Sequence, residues 1–580
     1  MGAVMVRVRH LSIRNFRAIR AMDWAPSAGI NCLIGPGDSG KSSVLDAIDL
    51  CLGARRSARF SDTDFHLLNV AHPILITVTI GALPDELLNL DTYGEFLRGF
   101  DTNTRLLEDE PRADIETVLS VQLQVGADLE PVWSLISNRA VAQGIERGLA
   151  WKHRALLAPA RIGQYASTHL TWNRSSVLNR LTEERPDLGA ELARAAREAR
   201  AGFGNQASAQ LAQTLQTVAL TAANLGVHVG HPQALLDAHA VSIGDGAIAL
   251  HDQAGVPLHA LGTGSARLLT AGLQRAAAQA STIALVDEVE YGLEPHRLKR
   301  LLDSLGAKEA NAPLQVFLTT HSPVALRELS SSQLFIVRKR LDIHEVRAPG
   351  LSDHVQSTLR TDPEAFLASS LLVCEGASEI GLARGLDQYW TERNHPSFFA
   401  LGGSYVNAGG STPDLCLQRS LVLRRLGYRV MVFIDADKPH TQTVLDEVVR
   451  EGIDVLTWQQ GQALEDAIFL GLPDQAIDAL LAFAEEEKGT ETVAEHIRSR
   501  SSGTLTLEQI KGSRAQGVPY APPTRQMLGQ AARTRNGWFK NVTAFQHVGR
   551  QIVGPHVLQS APEFLNLVTQ LWGWTRATGD

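Results

Sequence analysis

The N-terminal half of the chain has the pattern of strands alternating with helices. Residues 6–13 alternate apolar and polar side chains, which predicts a strand with one buried face. A short strand over 30–34 leads through a glycine-rich turn to a helix from Lys41 to about Leu52. Three apolar runs predict further buried strands: 74–80, 281–287 and 314–320. A helix over 295–305 separates the last two strands, so the pattern predicts an α/β fold.

The C-terminal half repeats this alternation. An apolar strand over 371–374 precedes a helix over 378–390, a glycine-rich turn over 402–410 and a helix over 415–426. Two more strands are predicted: 429–434 and 454–458. Pro, Gly, Ser and Asp are frequent in 347–364, which predicts a linker between the two halves.

The middle of the chain changes composition. From about residue 175 to 225 it is rich in Ala, Arg, Glu, Gln and Leu, and helices are predicted over 188–200 and 206–225. These residues form a helical insert whose apolar stripe serves either as plain core or as an interface. The insert lacks the sustained heptads of a long coiled coil.

Length and composition restrict the class of protein. A chain of 580 residues holds more than one domain, and 44% apolar with 20% charged residues is ordinary for soluble folds. The four cysteines form no CxxC pair, and no apolar run is long enough for a membrane span, so we expect a cytoplasmic protein. The net charge of −8 argues against a generally basic nucleic-acid coat but permits a local basic groove.

A phosphate-binding loop lies between the second strand and its helix. Residues 35–42 read Gly-Pro-Gly-Asp-Ser-Gly-Lys-Ser, the complete G-x-x-x-x-G-K-[ST] pattern. Glycines let backbone N–H groups surround phosphates, Lys41 reaches the β and γ phosphates, and Ser42 binds Mg²⁺. The expected ATP contacts are Gly35, Gly37, Asp38, Ser39, Gly40, Lys41, Ser42 and Ser43.

The remaining ATPase motifs follow in order along the chain. The strand before Asp287 and Glu288 predicts a Walker B motif, in which Asp287 holds Mg²⁺ and Glu288 orients the attacking water. Gly264, in Leu-Gly-Thr-Gly-Ser, belongs to a segment that resembles a degenerate ABC signature. Residues 290–295 resemble a D-loop, and His321 follows a strand as a candidate γ-phosphate sensor.

This ordered set resembles the ABC ATPase heads of chromosome-maintenance and recombination-repair proteins. The N-terminal Leu-Ser-Ile-Arg-Asn-Phe-Arg segment, 11–17, is also similar to those heads. The resemblance implies that two copies bind ATP between them, with the phosphate loop of one facing the signature of the other, so a homodimer is expected. A Q-loop glutamine has no clear equivalent; Asp62 or Asp64 is a candidate, and a solvated loop is the alternative.

Carboxylates end two apolar strands in the C-terminal half. Glu375 and Glu379 follow the strand that turns at Gly376, and Asp435 and Asp437 end the strand over 429–434. Oxygen-rich groups of this kind suit hard divalent cations such as Mg²⁺ or Mn²⁺. Such cations polarise a phosphodiester and activate water, which predicts a phosphodiester-cutting or phosphodiester-joining centre.

The two acidic strand ends resemble a Toprim fold. An ABC head joined to Toprim without a long coiled coil resembles the OLD (overcoming lysogenization defect) nucleases, over nearly the whole chain. The resemblance implies two-metal cutting of DNA, with Glu375 as general base or ligand and Asp435 and Asp437 as ligands. Further metal ligands are expected at Glu465 and Asp466, unless these residues form a solvated helix start.

Basic residues near the C-terminus are candidates for the same centre. By resemblance, Lys540, in Arg-Asn-Gly-Trp-Phe-Lys-Asn, stabilises charge on the transition-state phosphate, and a surface turn is the alternative. Lys511 is a rival for this role. Gly409 and Gly410 permit close backbone approach to DNA or metal, or simply satisfy a turn.

The resulting prediction is an α/β protein with an ABC-type ATPase head, mixed sheet lobes and a helical insert, followed by a Toprim domain with a parallel sheet and helical additions. The expected divisions are 1–170 and 236–350 for the two parts of the ATPase head, 171–235 for the helical insert with a dimerisation surface, and 366–580 for the Toprim domain. The expected function is an ATP-binding, Mg²⁺- or Mn²⁺-dependent DNA endonuclease in phage defence or DNA repair. Class 2 members of the family, of the Gabija type, imply a superfamily 1 helicase partner. An ATP-gated DNA clamp without cleavage and a Toprim ribonuclease toxin are the alternatives.

Overall fold

Alternating and continuous apolar runs form the strands that the sequence predicts. The computed structural model of the chain describes residues 6–55, 58–163, 169–170, 176–178, 194–195, 198, 210–224, 249–276, 282–410, 412–534 and 536–577. The strands, numbered in chain order, are β1 Arg7–Phe16, β2 Ile19–Trp24, β3 Ile30–Ile34, β4 Ile74–Gly81, β5 Leu97–Asp101, β6 Leu106–Glu108, β7 Glu116–Val125, β8 Pro131–Leu135, β9 Ala160–Arg161, β10 Ile283–Val286, β11 Gln315–Thr319, β12 Leu334–Arg340, β13 Ile343–Arg347, β14 Ser370–Cys374, β15 Gly403–Asn407, β16 Arg429–Ile434 and β17 Asp454–Thr457.

The helices fall between these strands and accumulate after β17. Within the described residues they are Lys41–Leu52, Leu90–Tyr93, Asn138–Gln143, Trp151–Leu157, Ala212–Asn224, Thr263–Ala276, Pro295–Ser304, Pro323–Glu328, Asp353–Thr361, Ala377–Thr391, Pro413–Arg425, Gln442–Arg450, Leu464–Gly471, Asp474–Lys488, Thr490–Arg500, Leu507–Ala515, Pro522–Ala532, Val542–His547, Gly554–His556 and Pro562–Arg576. None of them is long and apolar enough to cross a membrane.

One large mixed sheet holds β1 to β13. Its order is β6-β5-β7-β4-β1-β2-β13-β12-β3-β11-β10-β9, with β8 paired to β7. Strands β12, β3, β11, β10 and β9 run parallel to their neighbours in this series, whereas β1 pairs antiparallel with β2 and β4. Because β11 lies between β3 and β10, the loops that follow these three strands leave the same edge of the sheet.

A second sheet is small and entirely parallel. Its order is β15-β14-β16-β17, and Cys374 of β14 pairs with Phe433 of β16. The carboxyl ends of β14 and β16 are therefore adjacent, as the positions of Glu375 and Asp435 require if the two are to form one centre.

A continuous apolar core connects the two sheets. Alternate residues of β14 and β16, such as Val373 and Val432, pack in one cluster with Ile30 and Cys32 of β3 and Leu318 of β11. The opposite face of the small sheet packs on the C-terminal helices, and the opposite face of the large sheet forms a third cluster. The strands that end at the phosphate loop and the strands that end at the acidic residues therefore pack on one shared buried core.

Two local predictions are wrong. The expected linker 347–364 contains the helix Asp353–Thr361, which buries Val355 and Leu359 in the core between the sheets, and Ser352 caps it by accepting from the Val355 N–H. The expected turn 402–410 contains the buried strand β15. The Phe398 ring occupies the space that a side chain at Gly403 would need, so glycine is required within the strand itself.

In the part of the expected helical insert that the structure describes, one helix has defined bounds. Ala212–Asn224 lies within the predicted helix 206–225 and confirms it in part. Most of the helix predicted over 188–200, and most of the insert 171–235, lie outside the described residues, although residues 194, 195 and 198 are helical. Strands β5 to β8 complete the first lobe, as predicted for the mixed segment before residue 135.

Candidate functional sites at the ends of parallel strands

The phosphate-binding loop has the backbone conformation that its glycines allow. Gly35 has a φ of 142° and Gly40 a φ of 82°, and the helix begins directly afterwards at Lys41. A Cβ at Gly35 would lie 2.5 Å from the Val337 carbonyl oxygen, so no other residue fits there. Asp38 also has a positive φ, of 58°. The predicted strand, loop and helix are confirmed.

Lys41 lies inside this loop. Its Nζ donates to the carbonyl oxygens of Gly35 at 3.1 Å and Pro36 at 2.7 Å, and to Ser39 Oγ at 3.2 Å. Burial lowers the pKa of Lys41 to about 8, although Asp38 and Asp287 act in the opposite direction. An anion in the loop would replace these neutral acceptors and restore the charged form of the lysine.

Asp287 joins the phosphate loop to the strand β11. Its Oδ1 accepts from Ser42 Oγ at 3.1 Å and from Thr319 Oγ1 at 2.6 Å. Thr319 Oγ1 in turn accepts from the backbone N–H of Glu288 at 2.8 Å. The two residues predicted to hold Mg²⁺, Ser42 and Asp287, are therefore brought together. Thr319 was not predicted, although it ends the strand beside the candidate sensor.

Glu288 and His321 are both exposed at this edge. Glu288 adopts a positive φ of 45°, and the His321 backbone N–H donates to Glu290 Oε1 at 2.7 Å. Thr320 Oγ1 donates to the other oxygen of Glu290 at 2.7 Å, so this carboxylate fixes the loop that carries His321. The roles of Glu288 with water and of His321 with the γ phosphate stay predictions.

The signature-like segment packs on the D-loop-like segment of the same chain. Gly264 is buried where a side chain would overlap the Gly292 carbonyl, and Arg297 donates to Ser265 Oγ at 3.0 Å. Arg267, which is fully buried, donates to the carbonyl oxygens of Asp287 at 3.0 Å and Tyr291 at 2.7 Å. Arg267 was not predicted from the sequence. It connects the helix Thr263–Ala276 to the turn that follows Asp287.

The Q-loop candidates have local structural roles. Asp64 accepts from Arg17 Nε at 3.0 Å and caps a short 3₁₀ turn through the Ser61 N–H at 3.1 Å. Asp62 is exposed in that turn. These contacts favour the solvated-loop alternative.

Glu375 connects the two acidic strand ends. Its carboxylate, in a residue 5% exposed, accepts from the Asp435 N–H at 3.2 Å and from Lys438 Nζ at 3.1 Å. Asp435 Oδ1 accepts from the Leu464 N–H at 2.9 Å, which links β16 to the helix Leu464–Gly471, whose first turn carries Glu465 and Asp466. The strand ends and this helix start thus converge on one acidic centre.

The carboxylates of this centre share one electrostatic environment. Glu379, Glu465 and Asp466 are each 4% exposed. Burial raises the pKa of Glu379 to about 7, and Glu465 and Glu375 add to the shift. Burial also raises the pKa of Asp435 well above its ordinary value, with further contributions from Glu379 and Glu465. Such shifts arise where carboxylates are crowded without enough compensating charge.

Basic side chains border the centre on one side. Arg533 lies 3.0 Å from Asp466 and 3.7 Å from Asp437, and Lys540 is close enough to act against the burial-driven rise in the pKa of Glu465. Lys540 is exposed, whereas its neighbour Trp538 is fully buried. Lys511 instead pairs with Glu485 at 2.6 Å, so the prediction of Lys511 as a rival to Lys540 is not supported.

Carboxylate oxygens are the donors that hard divalent cations prefer, but those of this centre are held apart. No group of three or more His, Cys, Asp or Glu side chains in the described ranges is already assembled as a metal site. Glu379 accepts from the Gly376 N–H at 2.8 Å, and Asp466 Oδ2 accepts from the Ala463 N–H at 3.1 Å. Among the described residues, Asp466 Oδ1 is buried and has no hydrogen-bond partner, which leaves one oxygen of this carboxyl group unsatisfied.

Comparisons with curated proteins find short matches. Over 55 residues, 10% of this chain, the sequence is 49% identical to the DNA replication and repair protein RecF of Nitrosococcus oceani. A 53-residue segment, 9% of this chain, is 57% identical to the RecF protein of Vibrio cholerae. The matched segment spans 15% of the first relative's length and 14% of the second's.

Two solved structures illustrate the matches to known folds. The SMC head domain from Thermotoga maritima is 14% identical with a TM-score of 0.28, and 59% of this chain covers 98% of it. The recombination mediator protein RecF is 12% identical with a TM-score of 0.29, and 59% of this chain covers 99% of it.

A protein-family profile covers the segment that holds the phosphate loop, the Walker B strand and His321. The profile matches residues 30–327, slightly more than half of the chain. The chain therefore belongs to the ATPase family described as "AAA domain, putative AbiEii toxin, Type IV TA system".

Proposed function

We propose that the chain is an ATP-hydrolysing, divalent-metal-dependent DNA endonuclease. The observation that carries the proposal is the convergence of buried carboxylates at the adjoining ends of β14 and β16 and the neighbouring helix start. Keeping several carboxylates buried together is costly unless a cation or proton neutralises them. A purely structural role does not explain why several carboxylates are buried together at a sheet edge where ligands commonly bind.

The chain's own residues have distinct tasks in this proposal. Mg²⁺ or Mn²⁺ would be held by Glu375, Glu379, Asp435, Asp437, Glu465 and Asp466. Such cations supply polarisation of the phosphodiester and a water of lowered pKa. Glu375 positions the Asp435 backbone, and it is also the candidate base. Lys540 and Arg533 attract the nucleic-acid backbone, and Lys540 stabilises negative charge that develops on the phosphate.

The backbone beside the acidic centre supports access for a large substrate. Gly410 donates its N–H to the Glu375 carbonyl at 2.7 Å, and Gly409 and Gly410 both have positive φ. A side chain at either position would meet no atom of the described structure within 4 Å. This open glycine turn leaves room for a DNA backbone to approach the strand ends.

The ATPase region regulates DNA access in this proposal and does not drive the bond cleavage. Ser42 and Asp287 would hold Mg²⁺ with ATP, Glu288 would orient water, and His321 would sense the γ phosphate. A homodimer brings the signature segment near Gly264 to the phosphate loop of the second copy. The name of the RecF relatives, DNA replication and repair protein, supports DNA as the partner. The OLD-family and Gabija-type assignment, with a helicase partner, belongs to the same proposal.

Plasmid cleavage tests the proposal directly. Supercoiled plasmid is incubated with Mn²⁺ and wild type, Asp435→Asn or Asp446→Asn, the last a control at an exposed aspartate of the same domain. We expect nicked and linear products from wild type and the control, and none from Asp435→Asn. Equal cleavage by all three proteins, or by none at any Mn²⁺ concentration, contradicts the nuclease proposal.

An ATP-gated DNA clamp without cleavage is the second candidate. It is favoured by the counter-charges already present, since Lys438 pairs with Glu375 and Arg533 pairs with Asp466. In that case wild type and Asp435→Asn bind DNA equally in an ATP-dependent manner, and neither cuts it. The same assay with a single-stranded RNA tests the ribonuclease alternative.

A further inference from the structure

A cavity of about 560 Å³ lies along the C-terminal part of the helix Ala377–Thr391. Its lining includes Arg384 and Gln388 from this helix, Phe399 from the following loop, and Gln546 and Arg550 from the helical segment near the C-terminus. This volume lies within the range of sites for small organic ligands, roughly 300–1,000 Å³. The cavity is separate from the acidic strand ends and from the phosphate loop.

Arg384 is the unusual residue of this cavity. It is half-buried, and its Nε is shielded from solvent and has no hydrogen-bond partner in the part of the chain that the structure describes. No carboxylate among the described residues pairs with it, and its guanidinium instead lies 5.2 Å from the centre of the Tyr405 ring. A shielded guanidinium nitrogen that donates to no acceptor is unfavourable, and an anion in the cavity would supply the missing acceptor.

The acidic residues of the cavity are already neutralised. Asp387 is 2.7 Å from Arg576 and also accepts from the Phe398 N–H at 2.9 Å. Glu392 is 2.5 Å from Arg550 at the cavity wall. Because these carboxylates have partners, Arg384 supplies an uncompensated positive charge to the cavity.

The cavity lining also includes an aromatic ring and two side-chain amides. Phe399 is 56% exposed, and its ring packs edge-on against Tyr405 with centroids 5.5 Å apart. The side-chain amides of Gln388 and Gln546 line the cavity, and each provides both donors and an acceptor. An exposed aromatic face with adjacent amides suits a flat, polar ring.

We propose that this cavity binds a mononucleotide. Arg384 takes the phosphate, with Arg550 beside it; Phe399 stacks on the base; and the amides of Gln388 and Gln546 hydrogen-bond to the base edge. Arginine provides the paired N–H donors that phosphate oxygens accept. The ligand would sit on the same helix that carries Glu379 in its first turn, so the cavity is placed to influence the acidic centre.

Calorimetric binding to the full chain tests this proposal. The phosphate loop is disabled by Lys41→Ala in every protein, so that nucleotides cannot bind there. AMP, GMP, CMP and UMP are titrated separately, and orthophosphate and adenosine serve as fragments. The site variants are Arg384→Gln and Phe399→Ala, and Arg393→Gln is the matched control because Arg393 is an exposed arginine of the same region outside the cavity.

We expect at least one monophosphate to bind the Lys41→Ala protein. Its affinity should fall at least tenfold when Arg384→Gln or Phe399→Ala is added, and it should not change when Arg393→Gln is added. Phe399 is largely exposed, so Phe399→Ala keeps the test valid if Arg384→Gln fails to fold. If none of the four monophosphates binds at millimolar concentration, the proposal is overturned. Equal affinity for orthophosphate and the nucleotides also overturns it, because the aromatic wall then contributes nothing. Plasmid cleavage is not part of this readout, so a failed nuclease proposal leaves the outcome interpretable.

Discussion

The Asp435 backbone N–H donates to the Glu375 carboxylate at 3.2 Å, across the ends of two neighbouring parallel strands. Through this bond, Glu375 at the end of β14 holds the backbone of Asp435 at the end of β16. Lys438, three residues beyond Asp435, reaches the other oxygen of Glu375 at 3.1 Å. One oxygen of Glu375 therefore holds the Asp435 backbone, and the other pairs with the Lys438 ammonium. The charge of Glu375 and its hydrogen bond to Asp435 can be tested separately.

Glu375→Gln separates these two contributions. Glutamine retains an oxygen to accept from the Asp435 N–H but removes the negative charge needed for a cation or base. We expect Mn²⁺-dependent plasmid cleavage to fall on the order of 10²-fold or more, while the unfolding temperature stays close to wild type. Glu495→Gln, at an exposed carboxylate of the same domain, should cleave normally. Wild-type cleavage by Glu375→Gln would exclude Glu375 from the chemistry.

The pH dependence of stability tests the crowding of the carboxylates. Burial, with Glu465 and Glu375, raises the pKa of Glu379 to about 7 from 4.5. A raised folded-state pKa gives stability that is complete below the unfolded value and is lost as the pH rises through about 7. In EDTA, wild type should therefore lose roughly 3 °C or more in unfolding temperature relative to Glu379→Gln between about pH 5 and pH 8.

Manganese supplies the control for that measurement. A cation compensates the deprotonated carboxylates, so Mn²⁺ should remove most of the loss in wild type at the higher pH and have less effect on Glu379→Gln. Parallel pH profiles of the two proteins in EDTA would show that Glu379 keeps an ordinary pKa and that the carboxylates are not strained together.

Lys41→Ala tests whether ATP hydrolysis is required for cleavage. The lysine amine lies within the phosphate loop and donates to the carbonyl oxygens of Gly35 and Pro36 and to Ser39 Oγ. We expect ATP hydrolysis to be abolished and metal-dependent cutting to be largely retained, measured by phosphate release and plasmid conversion. Lys308→Ala removes a lysine that pairs with Asp303 on the surface and should affect neither activity. Loss of both activities in Lys41→Ala would show tight coupling and contradict the prediction.

The charge of the same lysine predicts a pH dependence of ATP binding. Burial lowers the pKa of Lys41 to about 8, whereas bound phosphates favour its charged form. Below this value the lysine is already protonated; above it, binding must take up a proton. The affinity for ATP should therefore fall as the pH rises from about 7 to about 9, and calorimetry should detect proton uptake in the upper part of that range. A flat affinity profile would indicate that Lys41 is fully charged in the empty loop.

The parts of the fold that sequence predicted best are those set by local geometry. Glycines at 35 and 40 adopt the conformations that a phosphate loop needs, and the strands before Glu375 and Asp435 are continuous apolar runs. Because parallel strands place their carboxyl ends at one edge of a sheet, the alternation predicted that both acidic strand ends lie at the same edge.

The missed features depend on contacts between distant residues. Strand β15 has too few β-branched residues to be recognised, and it forms because Phe398 packs on Gly403 and β14 pairs with it. The pairing of Arg533 with Asp466 spans the C-terminal helices and has no local pattern. The helix in the expected linker did have a signal, since Val355 and Leu359 are four residues apart after a serine cap.

Gly385→Ala tests the packing that supports the Glu379 helix. A methyl group at Gly385 would overlap the Gln546 carbonyl and lie 2.8 Å from the Arg550 backbone N, because the helix Ala377–Thr391 packs closely on the C-terminal segment. We expect a loss of about 1–3 kcal/mol in the free energy of unfolding, measured by denaturant titration, and weaker Mn²⁺-dependent cleavage.

Gly512→Ala is the matched control for this substitution. Gly512 lies within the helix Leu507–Ala515, and a Cβ there would meet no atom within 4 Å. Alanine should stabilise this helix by up to about 1 kcal/mol, because glycine is the poorer helix former. Opposite signs for the two Gly→Ala substitutions would establish that close packing, and not helix propensity, decides the outcome at Gly385. Equal stabilisation by both would mean that the helix can move away from its neighbour without cost, and the position of Glu379 could not then depend on that contact.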